Sequence, residues 1–206
     1  MATKVDQPKT RILVLHGFYD SAENRQNQMR SLIRSMKDIE FIFINSPFPF
    51  VDYGFLKSSD NTSNEQRYQW WSYNPEWSVA NYNYDTIQER FSQGAIVCTA
   101  MHLNIPNWPL LPSCIKFIIL IGCPPINDHN IKPILETLNT QNQSVPSLHI
   151  SGINDTLIST EMSESLFKYF NSSLAEFYKH NGGHYCPSNS DFRQKLRDFI
   201  QRANHS

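Results

Sequence analysis

The chain has 206 residues, 40% hydrophobic and 18% charged, with a formal net charge of -1. That length suits one globular domain with a sizeable core, and the balanced charge, without a long basic run, argues against nucleic acid as the main partner. The longest apolar run, Phe117-Ile118-Ile119-Leu120-Ile121, is strand length and far too short to span a membrane.

Residues 1–10 lack the apolar core of a signal peptide and read as a disordered leader, ahead of one domain over 11–203. Cys98, Cys114, Cys123 and Cys186 show neither a C-x-x-C pair nor metal spacing, so reduced thiols and a cytoplasmic location are expected. Arg11-Ile12-Leu13-Val14-Leu15 reads as a buried strand ending in His16-Gly17-Phe18. Ser21 can cap the next segment, and Met29, Leu32, Ile33 and Met36 predict a helix from Gln28 to Met36. Phe41-Ile42-Phe43-Ile44 is a second strand, ended by Asn45-Ser46-Pro47.

From Phe48 to Asn83 the chain is aromatic and irregular. Its Trp70-Trp71 pair and Trp77 suit either a wall over a pocket or aromatics that pin a long loop. Further strands are expected at Cys114–Gly122, Ser147–Gly152 and, more weakly, Ala175–Lys179. Helices are expected at 131–138, at 159–170 with Ser159 or Thr160 as cap, and at 191–203 with Phe192, Leu196, Phe199 and Ile200 inward. This alternation predicts an α/β protein with a doubly wound, mostly parallel sheet.

In such sheets ligands bind beyond the C-terminal ends of the strands. Ser92, Asp155 and His184 fall at such ends, in the chain order of an α/β-hydrolase serine site. A serine hydroxyl needs a base to become a nucleophile, and the base needs a third group to fix its tautomer. His184, beside Gly182-Gly183, is the candidate base, with His180 a near competitor; Asp155 is the candidate orienting acid. The oxyanion would be held by the backbone N–H of Gln93 and by one from the loop after the first strand, Phe18 or else Tyr19. No metal or cofactor is expected.

Leu15-His16-Gly17-Phe18, Asn45-Ser46-Pro47, the tryptophan pair, Phe91-Ser92-Gln93-Gly94-Ala95, Asp155 and Gly182-Gly183-His184 together resemble the FSH-type serine hydrolases, which are small α/β-hydrolases. The resemblance runs from about Arg11 to Ile200. It implies an α/β-hydrolase fold and cleavage of small acyl esters or thioesters through an acyl-enzyme. In that chemistry Ser92 is the nucleophile, Asp155 the orienting acid and His184 the general base. Acyl chain length and oligomeric state are not implied.

The chain departs from the family at one place. G-x-S-x-G wants a glycine two before the serine, and this chain has Arg90. Gln88-Glu89-Arg90 does not suit a strand buried on both faces, and the piece from Trp71 to Ser92 is short for a loop, a helix and a strand. The sheet is therefore expected either to keep or to lack the strand ahead of the serine. Ile87, Phe91, Ala95, Cys98 and Met101 also share a helical face, so Thr86–Leu103 can be read as one helix with Ser92 in its middle. On that reading the chain is an inactive relative or internally deleted isoform acting as a binding protein.

Overall fold

The computed structural model describes residues 9–50, 66–70, 92–105, 109–126 and 132–205. Strand β1 (Thr10–Leu15) is the first apolar run. It pairs in parallel with β2 (Ile39–Ile44), Thr10 opposite Ile39 and Leu15 opposite Ile44. The crossover holds α1 (Ala22–Gln28) and α2 (Arg30–Ser35) in place of the single helix expected over 28–36. The break falls at Met29 (φ −88°, ψ 5°), in the bridge region, though its N–H still donates to the Arg25 carbonyl and its own carbonyl still accepts the Ile33 N–H, both at 3.0 Å. It lets α1, which buries no residue, lie on the surface while Met29, Leu32 and Met36 go into the core. Ser21 does cap α1, its hydroxyl accepting the Asn24 N–H at 3.1 Å.

A short antiparallel pair, β3 (Phe48–Pro49) with β4 (Tyr68–Gln69), comes next. Then come α3 (Gln93–His102) and β5 (Ile118–Ile121). Strand β5 starts four residues later than expected. Ile118 lies opposite Ser147, so extending the ladder backward would meet Pro146, which has no N–H to give. Helix α4 (Lys132–Glu136) and a 3₁₀ turn (Thr140–Asn142) lead to β6 (Ser147–Gly152), which has the expected bounds. Next are α5 (Thr160–Phe167), capped by Ser159, β7 (Ala175–His180) and α6 (Ser190–His205).

Strands β5, β6 and β7 form a parallel sheet in that order. Every residue of β6 is buried, as the middle strand of a sheet covered on both sides requires. On one side Ile118 and Leu120 pack with Ile96 and Ala100 of α3 and Leu166 of α5. On the other, Leu148 and Ile150 pack with Leu32 of α2 and with Phe192, Leu196, Phe199 and Ile200 of α6. At about 1.5–3 kcal/mol for each large apolar side chain buried, these two layers account for most of the favourable burial. Glu176 of β7 takes Lys195 and Arg202 of α6 at 2.5 and 2.8 Å, clamping the last strand to the last helix.

The architecture is α/β, with helices on both faces of mostly parallel strands. Among the described residues the parallel strands fall into two ladders. β1–β2 and β5–β6–β7 are separate ladders, and no strand joins them among the described residues. Both β1 and β5 line one cavity of about 530 Å³, and Leu13 at the centre of β1 remains 51% exposed. No helix among the described residues is long and apolar enough to cross a membrane.

Candidate active site

Ser92 sits at the N-cap of α3, so the expectation of a continuous helix with the serine in its middle is corrected. Phe91, Arg90 and the rest of the lead-in lie outside the described residues, as do Trp71 and Trp77. The helix begins at Gln93 because Gly94 packs directly on the end of β1. A Cβ at Gly94 would overlap the carbonyl oxygen of His16 and come to 3.0 Å from Leu15 Cβ. The absent side chain thus sets how closely the serine turn approaches the first strand. Ser92 has φ −114° and ψ 27°, without the positive φ that would mark a strained turn. Its hydroxyl donates to the carbonyl oxygen of Gly122 at 2.7 Å, and the side chain is buried.

The loop after β1 is built around His16, which is 1% exposed. Its Nε2 accepts the Ser46 N–H at 3.0 Å, and its Nδ1 lies 2.6 Å from the Gly17 carbonyl oxygen. Burial lowers the pKa of this imidazole, and both nitrogens are engaged, so it is a framework group. Trp70 closes over it. The indole Nε1–H donates to the His16 carbonyl at 2.8 Å, the backbone N–H of Trp70 donates to Gln93 Oε1 at 2.7 Å, and the rings of Trp70 and His16 lie 5.3 Å apart. Trp70 therefore pins its segment to His16 and Gln93.

Gly17 borders the same cavity as Ser92, while the Phe18 ring packs edge-on against Phe50 at 5.3 Å. Tyr19 has φ 52°, a left-handed residue that turns the chain sharply just after Phe18. The Gln93 N–H lies at the positive end of α3, where backbone donors and the helix dipole favour an anion.

Asp155 and His184 come together from the ends of β6 and β7. Asp155 Oδ2 lies 2.8 Å from His184 Nδ1. Its Oδ1 accepts the N–H groups of Leu157 and Ile158, both at 2.9 Å. Burial by itself would raise this carboxyl. The His184 hydrogen bond and the two backbone donors outweigh it and hold the pKa below the ordinary aspartate value. Asp155 thus stays ionised and fixes the imidazole with Nδ1 as the bonded nitrogen, leaving Nε2 to take a proton. His180, the competing base, instead packs against Tyr185 at 5.1 Å, and burial lowers its pKa.

Gly122 is the site residue that sequence reasoning missed. It stands just past β5 with φ +53°, and a Cβ there would lie 2.6 Å from His184 Cε1 and Nδ1. Its carbonyl holds the Ser92 hydroxyl. One glycine therefore stands between serine and imidazole. The available signal was a glycine directly at the end of the clearest apolar strand. Ser92 and His184 line the same cavity. The four cysteines are free, and no metal-binding group of His, Cys, Asp or Glu occurs among the described residues.

The family profile of the serine hydrolase (FSH1) family matches this chain over residues 5–90 and 89–196, two stretches that meet just before Ser92. Esterase CG5412 of Drosophila melanogaster is 29% identical over 214 residues, spanning 94% of this chain and 74% of its own. Esterase OVCA2 of Danio rerio is 26% identical over an alignment of 232 residues, spanning 93% of this chain and 96% of its own. Among solved structures, Arabidopsis thaliana SOBER1 superposes with a TM-score of 0.57 at 16% identity, over 95% of this chain and 99% of that one. Esterase PE8 superposes with a TM-score of 0.59 at 16% identity, over 95% and 93%. At that identity the likeness speaks for the α/β-hydrolase-type fold alone.

Proposed function

The chain belongs to the serine hydrolase (FSH1) family, and on that premise we propose that it is a carboxylic ester or thioester hydrolase acting through an acyl-enzyme on Ser92. The single observation that carries this reading is the Asp155–His184 pair at 2.8 Å, on the cavity that Ser92 lines. Ser92 Oγ attacks the acyl carbonyl carbon while His184 Nε2 takes its proton. Asp155 holds the imidazole in the required tautomer and stabilises the imidazolium. The N–H groups of Gln93 and Phe18 receive the oxyanion. The protonated His184 then gives its proton to the leaving alcohol or thiol. In the second half, water attacks the acyl-enzyme, His184 takes its proton, and Ser92 is regenerated with release of the acid. Before the first step the Ser92 hydroxyl must exchange its bond to the Gly122 carbonyl for one to His184 Nε2. Residues 11–203 act as one catalytic domain with no cofactor, and the free cysteines favour the reducing cytoplasm.

A second reading has its own support. The Ser92 hydroxyl is held by a carbonyl and its backbone is unstrained, which suits a non-catalytic relative that keeps the pocket as a binding site. Stopped-flow hydrolysis of p-nitrophenyl acyl esters of graded chain length distinguishes the two. The enzyme gives a burst of p-nitrophenol matched to the protein concentration, then slower turnover. No release above that of the Ser92→Ala variant leaves the binding role.

A further inference from the structure

Residues 68–70 form a short strap bonded to both arms of the oxyanion site. The Tyr68 N–H donates to the Asp20 carbonyl oxygen at 2.9 Å, and the Trp70 indole Nε1–H donates to the His16 carbonyl oxygen at 2.8 Å. The strap therefore grips the loop after β1 on either side of Gly17-Phe18-Tyr19. Its middle is fixed as well, since the Ser46 hydroxyl donates to the Gln69 carbonyl at 2.6 Å. The Trp70 backbone N–H reaches the other way, to Gln93 Oε1 at 2.7 Å, and Gln93 is fully buried as the first residue of α3. The His16 carbonyl that takes the indole also lies under Gly94, where a Cβ would come to 2.4 Å from its oxygen. Within the loop, the His16 imidazole accepts the Ser46 N–H at Nε2, so its proton is on Nδ1, which donates to the Gly17 carbonyl at 2.6 Å. That peptide is trans, so its Phe18 N–H points away from the imidazole.

Resting on the hydrolase reading of Ser92, we propose that Trp70 is a positioning residue for the oxyanion hole, its two hydrogen bonds setting the spacing between the Phe18 and Gln93 N–H groups. Phe18 belongs to a loop and Gln93 to a helix, so their donors keep a fixed separation only through contacts that join loop to helix. Trp70 supplies two such links from one residue, the indole to the loop and the backbone N–H to the helix. Ring packing alone would hold less. The Trp70 and His16 rings lie 5.3 Å apart at a tilt, whereas an N–H bonded to a carbonyl prefers one direction. The oxyanion forms only once Ser92 has attacked, so a wrong spacing weakens the transition state and leaves ground-state binding alone. Neither bond of Trp70 involves Asp155 or His184, so the base is untouched.

The test compares the full chain with its Trp70→Phe variant, which loses the indole donor and keeps a ring, and with Gln93→Met, which loses the acceptor of the Trp70 backbone N–H. The substrate is a p-nitrophenyl acyl ester and the probe is trifluoromethyl decyl ketone. Ser92 Oγ adds to the ketone carbon, the C=O π pair moves to oxygen and the serine proton goes to His184, giving a hemiketal oxyanion. Both variants should lose about 10–100-fold in kcat with KM nearly unchanged, less than the roughly 10²–10³ lost when an oxyanion donor is removed outright. Ki for the trifluoromethyl ketone should rise by the factor by which kcat/KM falls. Affinity for methyl decyl ketone, which forms no stable adduct, and the acidic limb of the pH profile should stay where they are. An equal loss of methyl decyl ketone affinity would overturn the proposal and leave Trp70 a structural residue. Unchanged kcat and Ki in a variant that melts like the wild type would overturn it too. Should Trp70→Phe fail to fold, Gln93→Met decides on the same readouts. A wild type that neither turns over nor prefers the trifluoromethyl ketone sinks the hydrolase reading, and this inference with it; an active wild type with equally active variants sinks this inference alone.

Discussion

Gly122 lies between Ser92 and His184, its carbonyl oxygen 2.7 Å from the serine hydroxyl and its missing side chain 2.6 Å from the imidazole. Both constraints act on one backbone position. The carbonyl holds the nucleophile in place at rest, and the hydrogen at Cα makes room for the base. Gly122→Ala should therefore displace His184 and strain a residue with φ +53°. The left-handed conformation alone costs roughly 1–2 kcal/mol for a residue with a Cβ. The expected outcome is a lower melting temperature together with loss of ester hydrolysis. A variant with wild-type turnover would show that the imidazole need not sit where it does.

Asp155 holds His184 with one oxygen and two backbone N–H groups with the other. In Asp155→Asn the amide oxygen can still accept from Leu157 and Ile158, so the loop should survive. The amide NH₂ then faces Nδ1 and imposes the wrong tautomer. Turnover should fall by on the order of 10⁴ with little change in the melt, the size of effect seen when a triad aspartate is made an amide. The check is kcat against thermal stability for the same preparation.

The order of the described elements, and the placement of Asp155 and His184 beyond the ends of β6 and β7, were legible in the sequence. They rest on apolar periodicity and on where turn residues interrupt it. β6 has its expected bounds, and α5 starts at the expected Ser159 cap but ends at Phe167, three residues short of the expected Phe170. The break at Met29 was hidden, because Met29, Leu32, Ile33 and Met36 keep helical spacing across it. The late start of β5 was hidden too, because it depends on which residue Pro146 comes to face. Gly122 could be read as a strand end but not as a site residue, since its need to be glycine arises only where His184 packs on it. The lead-in to Ser92, read in the sequence as short of chain, lies outside the described residues.

His149 of β6 gives the fold a pH limit. It is buried among Phe167, Phe170 and Phe177, with Nε2 3.1 Å from Ser147 Oγ. Burial first, and then nearby His102, pushes its pKa from 6.5 to about 3, while burial also lowers His102. The unfolded chain binds protons on these imidazoles at a higher pH than the folded one does. Stability is thus full above about pH 6.5 and drains away as the pH falls toward 3. The melting temperature should be flat from about pH 7 to 8 and decline below about 6.5, and His149→Gln should make that decline shallower.

The thiols should differ sharply in reactivity. Burial raises Cys98 to about 11 and Cys123 and Cys186 to about 12, so their thiolates are scarce near neutrality. Cys114 is exposed. Brief treatment of the folded protein with iodoacetamide at about pH 7.5, then mass spectrometry, should find Cys114 alkylated and the other three largely intact.

The most direct test of Ser92 as an activated nucleophile is labelling of the folded chain by a fluorophosphonate, which reacts only with a serine activated by a base. One adduct per chain is expected, mapped to Ser92, abolished in Ser92→Ala and strongly slowed in His184→Ala. A protein that melts cooperatively yet takes no label at Ser92 would contradict the acyl-enzyme mechanism.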